Sequence, residues 1–152
     1  GDHRDLHSFP TRRSSDLSPL TGMKLKYLSC GITKVSSLLP LKDAELTSLI
    51  CADTPVSDLS PLKGMKIYSL YCGNTQVRDL SPLEGMPFEE FHCQGAKVID
   101  YSPLKGSSMK RLSIDFKPER DIELIRSMKS LNMVNGKPVN QFWMEVESQN
   151  KK

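Results

Sequence analysis

Four cysteines, Cys30, Cys51, Cys72 and Cys93, are the residues of this chain whose type most suggests metal binding or disulfide chemistry. Their spacing argues against both. Each follows the last by 21 residues and there is no C-x-x-C pair, whereas zinc sites are usually assembled from close pairs. Neighbouring members of such a row lie near enough for a bridge, but parallel side chains pointing the same way meet disulfide geometry poorly. The pattern predicts an inward ladder of small core side chains, with no metal and no cofactor. His92 and Glu90, two residues apart, form the one acid/base pair. No motif places a serine or cysteine nucleophile beside them, so no catalytic residue is expected. Ser-Pro steps at 18, 60, 81 and 102 resemble phosphorylation targets, but turn capping explains them more simply.

The elements that must position these residues follow from the same period. Pro19, Pro40, Pro61, Pro82 and Pro103 stand 21 apart, as do Leu38, Leu59 and Leu80, and Ile114 continues the cysteine column. A fixed period of this length marks a solenoid, in which each repeat buries its apolar side only against its neighbours. Within one repeat, Leu70 and Cys72 are two apart and point to one side of a strand, while Ser69 and Tyr71 point to the other. In Asp79-Leu80-Ser81-Pro82-Leu83-Glu84-Gly85, serine suits an N-cap, proline a first helical position and glycine the exit from a tight turn. Each rung is therefore read as a strand, a turn and a short 3₁₀-like segment. One rung alone is not viable. About seven apolar side chains at roughly 1.5 to 3 kcal/mol each do not offset about 1 to 2 kcal/mol for every ordered residue.

The run Ile67-x-x-Leu70-x-Cys72-x-x-Thr75-x-Val77 resembles the leucine-rich repeat pattern. That resemblance implies an α/β solenoid with one parallel β-sheet, short 3₁₀ or irregular convex turns and a C-terminal helical cap. A parallel β-solenoid without helical turns is the alternative fold. Asp115-Phe116-Lys117-Pro118-Glu119-Arg120-Asp121, with Val134-Asn135-Gly136-Lys137-Pro138 and Phe142-Trp143, resembles the ending of leucine-rich repeat proteins of planctomycete-type bacteria. In that group such repeats often follow a serine/threonine kinase domain. The present residues hold no glycine-rich phosphate loop, no His-Arg-Asp and no Asp-Phe-Gly.

In chain order, residues 1–17 look foreign. Read back into codons, His7 to Asp16 corresponds to CAC TCT TTC CCT ACA CGA CGC TCT TCC GAT, the end of a widely used short-read sequencing adapter. They are expected to be an adapter-derived, disordered leader, preceding a natural chain that is longer at its N-terminus. Residues 18–120 hold five rungs. In the second, Leu39 replaces the serine and Asp43-Ala44 replaces Gly-Met, so its outer turn should be less regular. Residues 121–147 read as a cap of helix, sixth strand and helix, with Met128-x-x-Leu131-x-Met133 repeating the strand spacing, and 148–152 as a polar tail.

Composition limits the partners. The net charge is only +3 over 152 residues, without the clustered basic stripe and stacking aromatics that nucleic acid requires. No apolar run approaches the length that spans a bilayer, so no membrane insertion is expected of this segment. Localisation stays open, with unpaired core thiols favouring the cytoplasm. A protein or peptide is the expected partner, held on the outward strand face formed by Tyr27, Ser29, Ser48, Ile50, Ser69, Tyr71, Glu90, His92, Arg111 and Ser113. Tyr27, Ile50 and Tyr71 supply apolar and aromatic surface that solubility does not require. The expected function is a non-catalytic interaction module. The alternatives are a regulatory or docking segment of a serine/threonine kinase, and a structural or cell-surface repeat protein.

Overall fold

The computed structural model describes residues 14–149. Five three-residue strands, β1 (Tyr27–Ser29), β2 (Ser48–Ile50), β3 (Ser69–Tyr71), β4 (Glu90–His92) and β5 (Arg111–Ser113), lie side by side in parallel, in chain order. The pairing register is the sequence period itself: Leu28 faces Leu49, Leu49 faces Leu70, Leu70 faces Phe91 and Phe91 faces Leu112. β6 (Met133–Val134) joins β5 in parallel, and β7 (Lys137–Pro138) returns antiparallel to β6. The sheet is therefore parallel except at its last strand, where the Asn135-Gly136 turn, with φ of 50° and 77°, makes a hairpin.

One apolar column from each part of the rung fills the interior. Leu28, Leu49, Leu70, Phe91 and Leu112 stack behind the strands, with Val35, Val56 and Val77 and the leucines of the outer turns closing the other side. The four cysteines form the predicted inward row, all buried and unbridged, and Ile114 extends it. Burial pushes the Cys30 thiol up to about 11 and raises Cys51 further, so both are neutral core groups. Three buried threonines close the turn after the strand. The hydroxyls of Thr33, Thr54 and Thr75 donate to the carbonyls of Cys30, Cys51 and Cys72 at 2.6, 2.6 and 2.7 Å.

The convex side carries one 3₁₀ turn per rung: Ser18–Leu20, Leu39–Leu41, Ser60–Leu62, Ser81–Leu83 and Ser102–Leu104. The serine is not the cap. It occupies the first helical position, and the aspartate two residues earlier does the capping: Asp79 accepts from the Ser81 N–H and hydroxyl, each at 2.8 Å. Asp58 and Asp100 repeat the arrangement. In the second rung Ser37 takes the aspartate's place, accepting from the Leu39 N–H at 3.2 Å. Lys63 (ψ 130°) and Gly64 (φ 81°) make a type II turn, which needs a residue free to take positive φ. The second rung has Asp43 there, and Lys42 stays helical at ψ −37°, so its turn differs as expected.

At the C-terminal end the 3₁₀ turn gives way to α1 (Pro118–Ser127), and the chain finishes in α2 (Val139–Gln149). Asp121 is only 1% exposed and accepts from the Lys117 N–H at 2.8 Å and from Arg120 at 2.6 and 2.7 Å. Arg120 also lies 4.8 Å from the centre of the Tyr101 ring, tying the helix to the fifth rung. α2 buries Phe142 and Val146, and Phe142 meets Phe116 and Trp143 edge-on at 5.0 and 5.3 Å.

Four boundaries are corrected. The C-terminal cap begins with α1 at Pro118, inside the stretch assigned to the rungs, rather than at 121. In β6 the residue facing Leu112 is Val134, 22 positions later, and Met133 faces Arg111, so Leu131 and Met133 are not the inward pair of a strand 19 residues on. The apolar residues at 128, 131 and 133 fit the full repeat spacing, whereas the register adopted has Leu131 and Val134 at its first two positions and Gly136 at the third, where the chain turns into the hairpin. The expectation of a disordered leader through residue 17 does not hold for residues 14–17. Leu17 is 1% exposed in the core, Asp16 caps Ser18, and the Lys34 N–H donates to the Ser14 carbonyl at 2.9 Å. Asp16-Leu17 completes the Asp-Leu-Ser-Pro-Leu motif and folds as one, while residues 1–13 lie outside the described residues. Finally, α2 continues through Ser148 and Gln149 rather than stopping at 147.

Candidate functional site

Period-2 alternation along each strand sets one side chain inward and its two neighbours outward, and the register of 21 stacks like on like. Two outward columns result. One runs Tyr27, Ser48, Ser69, Glu90, Arg111; the other runs Ser29, Ile50, Tyr71, His92, Ser113. All ten sequence-predicted residues thus lie on one face. They are not equally available: Arg111 is exposed and most of the others are half-buried, but Ser113 is 8% exposed. Asn135 spans that position, its N–H bonded to the Leu112 carbonyl and its side-chain oxygen to the Ile114 N–H, each at 2.9 Å. Ser113 is therefore corrected from outward surface to covered position.

The centre of the face is a network that crosses three strands. Tyr71 and His92 stack with ring centres 4.2 Å apart and planes within 7°. The Tyr71 hydroxyl donates to Glu90 Oε2 at 2.7 Å, and Arg111 pairs with Glu90 Oε1. Burial and the Glu90 carboxylate raise the Tyr71 phenol pKa, so the hydroxyl keeps its proton and remains a donor. Burial, helped by Arg111 and opposed by Glu90, holds the His92 imidazole below its ordinary range. His92 Nε2 is shielded from solvent and meets no hydrogen-bond partner among the described residues.

This network has no acid/base geometry. A carboxylate that orients a catalytic imidazole must hydrogen-bond it, whereas both Glu90 oxygens are engaged by Tyr71 and Arg111. Among the described residues, no three His, Cys, Asp or Glu side chains come together as a metal site, and no helix is long and apolar enough to cross a membrane. The face instead offers a fixed aromatic pair between Ile50 and a charged rim. Sequence spacing located its columns but not the Tyr71–Glu90 bond, which joins residues 19 apart across a diagonal. A search for polar partners at the period minus two would have found it.

No family model matches the sequence, and no curated protein matches it. Solved structures do. The chain is similar to internalin C2 of Listeria monocytogenes, with a TM-score of 0.69 and 24% identity over 79% of this chain and 55% of that one. It is also similar to an internalin (inlF) of Listeria monocytogenes, with a TM-score of 0.62 and 18% identity over 80% of this chain and 44% of that one. The chain thus spans about half the length of the structures it matches. At these identities the likeness concerns the fold, which is a leucine-rich repeat solenoid with short 3₁₀ convex turns and a C-terminal helical cap.

Proposed function

We propose that this chain is a non-catalytic protein-interaction module that binds a protein or peptide on its strand face, anchored at Tyr71. The observation that carries the reading is the stacked Tyr71–His92 pair, next to Ile50 in its column and tied through the Tyr71 hydroxyl to the Glu90–Arg111 ion pair. A side chain already fixed in one orientation loses little entropy on binding, and tyrosine is among the residue types that dominate interface energies. Size limits the affinity. Six strands at about 4.8 Å span roughly 25 to 30 Å, and a width of about 10 to 15 Å gives a face on the order of 400 Å². A standard interface takes about 800 Å² per partner. Binding by these residues alone is accordingly weak unless the partner reaches flanking turns, such as that of Asp53 and Asn74, which bond to each other at 2.9 Å.

The test begins with peptides selected from a displayed library against the full chain, titrated into Tyr71→Ala and into Arg78→Ala, a change at an exposed residue outside the strands. Tyr71→Ala is expected to weaken binding by about 1 to 2 kcal/mol, with Arg78→Ala unchanged. Equal losses, or a loss from Arg78→Ala alone, would move the site off the strand face.

A further inference from the structure

Along the edge where the strands begin, three hollows run into one another across the rungs, and Tyr68 lines all three. Together they make a trough parallel to the stack and separate from the outward face. Its floor is apolar, with Leu46, Met65, Met86, Phe88 and Leu104. Tyr68 stands in the middle at 44% exposure, an aromatic left uncovered by its own fold. The walls are basic. Glu45 and Glu89 are occupied by Lys26 and Lys110 at 2.8 and 3.2 Å. Lys42, Lys63, Lys66 and Lys105 line the trough, are exposed and carry no ion pair among the described residues, against one lining acid in the same condition, Glu84. Four lysines without an ion pair among the described residues thus border one apolar channel.

We propose that this trough binds an extended acidic peptide, its carboxylates on Lys63 and Lys66 and its alternate apolar side chains on Met65 and Met86 around Tyr68. The channel crosses from the second rung at Lys42 to the sixth at Asn132, four steps of about 4.8 Å, or roughly 19 Å; at about 3.3 Å per residue that accommodates about six extended residues. An extended chain sends successive side chains to opposite sides, which matches a floor of one character and a rim of the other. Methionine floors adapt to the shape of what they hold. Single-stranded nucleic acid fits less well, because it calls for successive stacking aromatics and the trough presents one exposed tyrosine.

Fluorescein-labelled eight-residue peptides alternating Glu with Leu or Val test this by anisotropy with the full chain, beside counterparts with Lys for Glu and a single-stranded oligothymidylate. The Glu peptides are expected to bind, to weaken as salt rises, and to lose at least tenfold in affinity with the Lys63→Glu/Lys66→Glu double variant. Tyr68→Ala should weaken them as well, while Tyr71→Ala on the strand face leaves them unchanged. Four results would overturn the proposal: no saturable binding of any Glu peptide, equal binding of the Lys peptides, tighter binding of the oligothymidylate, or a loss with Tyr71→Ala matching that of the lysine variant. Because the substitutions are on a different surface, failure here leaves the strand-face reading standing, and the reverse also holds.

Discussion

His92 is where a single proton changes the energy of the face. The groups around it are the Tyr71 ring on β3, Glu90 on its own strand, and Arg111 and Ser113 on β5. Burial depresses its pKa in the folded chain, so between that value and the unfolded value near 6.5 the unfolded state binds the extra proton. Stability from this group is complete above the unfolded value and declines as pH falls below it. Asp79 and Asp100 are also held low, by their serine donors, and their contribution is lost only in more acid solution, below about pH 4. The urea midpoint of the full chain should therefore fall between pH 7 and pH 5, and His92→Gln should flatten that decline. Identical pH profiles for the two proteins would show that the imidazole is not held neutral. At this scale the sequence told which residues share a column, because alternation and a fixed period determine that much. It did not tell which of them bond diagonally, because that depends on side-chain reach across rungs.

At the scale of the single rung, polar groups decide how each turn ends. Thr75 is fully buried and its hydroxyl supplies a hydrogen bond to the Cys72 carbonyl. Thr75→Val keeps the shape and orphans that carbonyl, so it should cost about 1 to 3 kcal/mol, read as a lower urea midpoint. Ser81→Ala should cost less than about 1 kcal/mol, since the Asp79 bond to the backbone N–H survives. If Thr75→Val proved as mild as Ser81→Ala, the carbonyl would have found another donor. Strand, turn and 3₁₀ segment were all legible in the repeat, because proline, glycine and the leucine spacing each restrict the backbone. The capping role was misassigned because aspartate and serine are both capping types and stand two residues apart in the same motif. The place of β6 is ambiguous for a related reason: Leu131 can stand second after Met128 or first before Val134, and only pairing with β5 chooses between them.

Over the whole molecule, stability is a sum of rungs and of the contacts between neighbours, which makes the ends its weak points. Phe142, 6% exposed between Phe116 and Trp143, holds α2 against the last strands. Phe142→Ala should cost about 3 to 5 kcal/mol, and the loss should be local. Amide hydrogen exchange is expected to quicken in β6 and β5 well before β2. Uniform quickening along the stack would mean that the solenoid opens as one unit. The architecture was readable because periodicity is a long-range signal repeated five times. The trough beside Tyr68 was not, because it arises from how successive turns sit against one another. The cysteine row gives this layered build a practical consequence. Cys30, Cys51, Cys72 and Cys93 are one to a rung and all buried to nearly the same depth. A thiol reagent reaches each only when its own layer parts, so the order in which the four are alkylated during unfolding records, layer by layer, the direction in which the stack unzips.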